Sequence, residues 1–188
     1  MTSPALAAPL RALLPVAPPA LVVPPRAPSD PLAARLTVAD LFPEGIVDAD
    51  AARGCLAGIL LLRDAFDRAH AECQDLDTAD GAYWHGIAHR REPDPANAKY
   101  WMRRVGRHPI HDALARDVLA AGSGPGTLAP ADAALATATG RWDAGRFIDA
   151  CCAPRIEPAL RVALEAWQYH EALSLLAHGA ARAAGREG

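Results

Sequence analysis

The sequence predicts an all-α fold, a compact bundle of about six to seven helices around a central helical hairpin. Three observations carry this expectation. The apolar share of 51% is supplied mainly by alanine and leucine, and only 5% of residues are aromatic, a balance that favours helix over strand. Apolar residues recur at steps of three and four in several segments, whereas no stretch alternates with the two-residue period of a strand. Residues suited to capping helices stand at the ends of those segments. At 188 residues the chain suits one sizeable core, so a flexible leader over 1–36 and a single helical domain over 37–184 are expected.

Residues 1–31 hold nine of the 17 prolines. Proline lacks the backbone N–H that a helix interior or a sheet ladder needs, so this stretch is expected to be an extended, disordered tail. Pro15, Pro18 and Pro19 interrupt its apolar patch and no cleavage pattern follows, which argues against a secretory leader. A second reading makes it a proline-rich ligand for the aromatic groove of a partner.

From Asp48 or Asp50 one long helix is expected to reach Gln74, with Ala52, Cys55, Leu56, Ile59, Leu62, Phe66, Ala69 and Cys73 as its core face. Beside that face runs a polar stripe of Arg63, Asp67, His70 and Gln74, in which surface ion pairing accounts for Arg63 and Asp67. A second helix starts at Thr78 or Asp80, both competent N-caps, and stops before Pro93. Asp94 caps a third helix with Pro95 at its first position, where a missing N–H costs nothing; Ala98, Trp101, Met102 and Val105 form its buried face and Gly106 ends it. Another helix follows from Pro109 to Ala121, closed by the loop 122–126. A short helix is expected over 130–139. Next, Asp143 reads as an N-cap flanked by a Trp142/Phe147 hydrophobic staple. The last helix, from Pro158 to Ala181, is apolar on two sides, Val162, Ala166, Tyr169, Leu173 and Leu176 on one and Leu160, Leu164, Trp167 and Glu171 on the other, which places it centrally in the packing.

Charge and cysteine usage exclude some classes of function. The formal charge of −3 predicts no general affinity for nucleic acid or for an anionic membrane. No window approaches the roughly 18 to 20 apolar residues of a membrane span. Cys55, Cys73, Cys151 and Cys152 show no CxxC spacing, so reduced, mostly buried thiols in a cytoplasmic protein are expected; the Cys151-Cys152 pair fits use as small apolar residues better than redox or metal chemistry.

The segment from Tyr83 to His111 concentrates the chemistry: four of the seven histidines, two of the four tryptophans and most of a local basic cluster. Between His85 and His111, Arg90, Arg91, Lys99, Arg103, Arg104 and Arg107 stand against only Glu92 and Asp94. Glu92-Pro93-Asp94-Pro95 separates its two helices, so their polar groups converge around a helical hairpin. On the first helix His85, His89 and Glu92 fall at i, i+4 and i+7, a face suited to a divalent metal. HxxxH here lacks the glutamate of the zinc-protease HExxH motif, and Arg90 and Arg91 are expected to oppose a cation beside it. The competing functional reading is a pocket for a small anion. Arginine forks grip carboxylate or phosphate, Trp84, Tyr100 and Trp101 offer flat walls, and Asn97, Tyr100, Trp101 and Arg104 share one helix face. In that pocket His85 and His89 are candidates for proton transfer, joined by His70 with Asp67 orienting it if the long helix packs against the hairpin, and Arg90 and His108 join the ligand-binding set. The structural alternative packs Trp84, Ile87 and Ala88 against Ala98, Trp101 and Met102, stacks arginines on the rings at the surface, and leaves His108 to cap a helix.

Asp94-Pro-Ala-Asn-Ala98-Lys-Tyr-Trp101-Met resembles the second helix of a Sel1-type, tetratricopeptide-like repeat. That resemblance covers one helix and no second copy is found, whereas stacked repeats need several units; it implies a helical hairpin and a protein partner. The longer string Trp84-His-Gly-Ile-Ala-His-Arg-Arg-Glu-Pro-Asp-Pro-Ala-Asn-Ala-Lys-Tyr-Trp101 is similar to a segment of uncharacterised bacterial and fungal proteins, over about residues 55–115. It implies that this segment is their functional centre and transfers no activity. The leading expectation is therefore an all-helical protein binding a small anion, with an enzyme using His70, His85 or His89 as its catalytic version. An interaction module and a divalent-metal protein built on His85, His89 and Glu92 are the alternatives.

Overall fold

The computed structural model describes residues 4–23, 30–121 and 141–186. Among these the chain forms nine helices and no β-strand: α1 (Ala8–Ala12), α2 (Val38–Leu41), α3 (Ala49–Leu62), α4 (Phe66–Gln74), α5 (Ala79–Arg91), α6 (Pro95–Val105), α7 (Ile110–Ala121), α8 (Ala144–Cys151) and α9 (Pro158–Ala183). The helix expected over 130–139 and the loop at 122–126 lie outside the described residues.

The single helix expected from Asp48 to Gln74 is two. α3 ends at Leu62, and Asp64 takes a φ of 58° before α4 begins at Phe66. Aspartate tolerates this left-handed region better than most residues, and its carboxylate is held by the Arg91 guanidinium. The break folds α4 against α3 and α5, and it dissolves the continuous polar stripe. Arg63 pairs with Asp30 at 2.6 Å instead of with Asp67.

α3 is the buried spine. Eleven of its residues are buried, from Ala51 to Leu62, and the long α9 packs along it, with the Leu176 carbonyl and Gly179 against Cys55. Val162, assigned to an apolar face of the last helix, is exposed near its start. The bulky partner of α3 is Trp84, whose ring lies on Gly58: a Cβ there would stand 2.5 Å from the indole. Glycine thus lets α3 and α5 approach across a tryptophan.

The α5–α6 hairpin forms as its caps predict. The Thr78 side chain accepts from the Gly81 N–H and that of Asp94 from the Asn97 N–H, and Gly106 ends α6 at φ 63°. Asp143 caps α8, with the Trp142 and Phe147 rings 5.0 Å apart.

The leader departs from expectation. Its prolines leave only the short helix α1, yet the leucines between them insert side chains: Leu6, Leu10 and Leu21 are buried, and so is Leu36 beyond them. Pro9 lies in the first turn of α1, where its missing N–H is harmless. The Val23 N–H donates to the Arg91 carbonyl at 2.9 Å, and Arg91 in turn donates to the Ala20 carbonyl at 3.2 Å. No helix among the described residues is long and apolar enough to cross a membrane.

Candidate metal centre

Three imidazoles converge where α4 crosses α5. His85 and His89 come from successive turns of α5, and the break at Asp64 brings His70 of α4 onto them. One ring nitrogen from each of the three lies within 4.8 Å of the others, and the Nε2 atoms of His70 and His85 are 3.0 Å apart. His85 and His89 stack with centroids 4.8 Å apart, and His70 meets both edge-on. His85 and His89 are buried, while His70 is half-buried and stacks beside Phe66.

Surrounding groups hold each ring. Trp101 stacks on His85 at 4.0 Å and 20°. That contact orients a ring whose Nδ1 has no hydrogen-bond partner among the described residues. His89 Nδ1 lies 3.1 Å from Glu92 Oε2, and the Asn97 amide nitrogen lies 3.0 Å from His89 Nε2. A carboxylate only accepts, so the proton of the neutral ring sits on Nδ1, donating to Glu92, and the lone pair is left on Nε2. This is the tautomer a metal-ligating histidine needs, with a carboxylate behind the ring. Burial, reinforced by the neighbouring His70 and His89, brings the His85 pKa down to about 4.

Glu92 was expected beside His85 and His89 as a ligand; the structure sets its carboxylate behind His89, on Nδ1, and the third ring nitrogen close to the pair belongs to His70. A frayed helix end turns Glu92 outward, half-exposed, whereas the α4 crossing was invisible to spacing along one helix. The anticipated opposition from Arg90 and Arg91 is also absent, because both side chains are buried away from the histidines and compensated. Arg90 pairs with Glu171 at 2.6 Å and bonds Gln168 at 3.2 Å; Arg91 pairs with Asp64.

The other residues expected in the pocket scatter. Asp67 is exposed, and the ring of His70 bonds His85 rather than its carboxylate. Tyr100 is 47% exposed, Arg104 lies over the outer face of Trp101 near Asp77, and Trp84 is enclosed by α3. His108 caps the start of α7, its Nδ1 accepting from the Ile110 N–H at 3.4 Å. Of the anticipated anion-binding set only Asn97 and Trp101 stay with the three histidines.

A second convergence joins Asp80, His108 and His178. Its chemistry differs. Because His108 Nδ1 accepts from the backbone, Nε2 carries the proton and donates it to Asp80 Oδ1 at 2.8 Å, while Arg182 approaches Asp80 Oδ2 at 3.3 Å. Asp80 thus already has a cation and a donor, and the group is an ion-paired knot tying α5 to α9. Sequence reading missed His178 and the pairing of Glu171. A carboxylate on an otherwise apolar face of the last helix was the available signal, since a buried acid requires a buried cation.

No known protein family, curated protein or solved structure matches the chain. The site therefore rests on its own geometry.

Proposed function

We propose that this protein binds a divalent transition-metal ion of the zinc class through His70, His85 and His89. One observation carries the reading: three imidazoles from two helices offer ring nitrogens to a common point, and the one bonded to Glu92 is held in the ligating tautomer. Three histidines with a fourth position open is a ligand set found in catalytic zinc sites, where a bound water occupies the open position. Phe66, Asn97 and Trp101, each partly exposed, stand beside His70, His85 and His89 and would form the rim of that position. An enzyme acting on a small molecule reached from that rim is the catalytic form of the proposal, in a reducing compartment such as the cytoplasm that matches the four unbridged cysteines.

Elemental analysis of the purified chain, followed by cobalt(II) substitution, tests it. About one ion per chain and a tetrahedral cobalt spectrum are expected, both lost in His85→Ala and in His70→Ala. A well-folded chain that takes up neither zinc nor cobalt overturns the proposal.

A further inference from the structure

A cavity of about 810 Å³ opens between α6, the start of α7 and the N-terminus of α8, away from the three histidines. Its size falls in the range of small-molecule sites, roughly 300 to 1,000 Å³. Met102 and Trp142 supply apolar wall, and cations outnumber acids among the charged residues: Lys99, Arg103, Arg107, Arg141 and Arg146 line it. Three acids also reach the cavity, and each is engaged. Asp149 pairs with Lys99 at 2.6 Å, Asp112 pairs with Arg107 at 3.0 Å, and Asp143 accepts from the Arg146 backbone N–H at 3.0 Å as the cap of α8.

Arg103 on the last turn of α6 and Arg146 on the first turn of α8 are exposed, line the cavity and make no ion pair among the described residues. Arg146 also sits at the positive end of its helix, where the backbone adds to its charge. His111, in the same wall, does not compete as a cation, since burial and the nearby His108 bring its pKa down to about 4. A guanidinium fork matches a carboxylate or phosphate with two parallel hydrogen bonds, and two forks on facing helices suit a multiply charged group between them.

We propose that this cavity is a binding site for a small organic anion, its phosphate or paired carboxylates held between Arg103 and Arg146. The basic character of the 85–111 segment is thereby put to use on the α6–α8 side of the hairpin, and nothing in this proposal depends on the metal centre.

Calorimetric titration of the full chain with inorganic phosphate and, separately, with succinate tests it, at constant ionic strength and with chloride as the control. Saturable binding of at least one probe is expected; a preference for phosphate points to a phosphoryl ligand and a preference for succinate to a dicarboxylate. The double variant Arg103→Glu/Arg146→Glu, altering two exposed side chains, should weaken the better probe about tenfold or more. Arg35→Glu, an exposed charge reversal elsewhere, should leave it unchanged. Binding no better than chloride, binding that survives in the double variant, or equal weakening by Arg35→Glu overturns the proposal.

Discussion

His70 and His85 place their Nε2 atoms 3.0 Å apart although they belong to different helices, and the contact exists because Asp64 breaks the chain between α3 and α4. The proposed ion would sit at this crossing, with Glu92 steadying the third ring from behind. Glu92→Gln is therefore expected to weaken metal binding about 10- to 100-fold, the usual scale for a carboxylate behind a ligating histidine. Competition against a chromophoric chelator measures this, and thermal unfolding of metal-free protein should not change, because Glu92 is half-exposed. Unaltered affinity would remove Glu92 from the site.

The Arg90–Glu171 pair has no exposed side-chain surface on either partner, and Tyr83 Oη donates to the same carboxylate at 2.9 Å. Removing one charge strands the other. Arg90→Met should cost about 3 to 5 kcal/mol in urea unfolding, and adding Glu171→Leu should restore part of that loss. A double variant no more stable than Arg90→Met would show that the shape of the arginine, not its charge, matters here.

Trp84 against Gly58 leaves no room for a methyl group. Both partners are buried in the centre of the core, so Gly58→Ala should destabilise by about 1 to 3 kcal/mol despite the better helix propensity of alanine. A stabilised variant in denaturant titration would mean that the indole shifts freely.

Burial by itself would raise the Asp80 carboxyl pKa. The His108 hydrogen bond, with the charges that His108 and His178 take up in acid and that of Arg182, outweighs it and holds the pKa below the ordinary carboxylate range. A lowered folded-state value means that the stability contributed by Asp80 is fully present above its unfolded value of about 3.9 and is lost as pH falls through the lower folded one. Asp80→Asn should therefore be less stable than the parent at pH 6, with the gap narrowing below about pH 4 as the parent loses its advantage. Urea midpoints at several pH values check this; a gap independent of pH would assign the loss to packing.

The buried leader makes a last prediction. Leu10→Ala and Leu21→Ala should each cost about 2 to 5 kcal/mol, as core leucines do, and deleting residues 1–23 should lower the thermal midpoint. A disordered tail would give no change in any of the three.

Helix class, caps and the hairpin were legible along the chain because they depend on local chemistry. Thr78, Asp94, Gly106 and Asp143 act within a few residues of themselves, and the three-and-four spacing of apolar residues needs no partner to be recognised. His85 and His89 were visible as a pair for the same reason. Two errors have a common origin in reading α3 and α4 as one helix: the stripe led from Arg63 to Asp67, and His70 remained only a conditional contributor. The periodicity of α3 carries on into α4 almost in phase, so spacing could not disclose the turn at Asp64, which a buried arginine 27 residues later stabilises.

What the sequence by itself determined is the helical class, the helices of the α5–α6 hairpin and the segments after it with their caps, and that the polar chemistry gathers on that hairpin. Only the tertiary structure decided how that chemistry is divided: His70 joined His85 and His89, Arg90 and Arg91 turned to Glu171 and Asp64, and the proline-rich leader laid its leucines on the core. The physical reason is range. Caps and periodicity are settled between neighbours a turn apart, whereas a buried charge or a third imidazole takes whichever partner the packing brings to it from elsewhere in the chain.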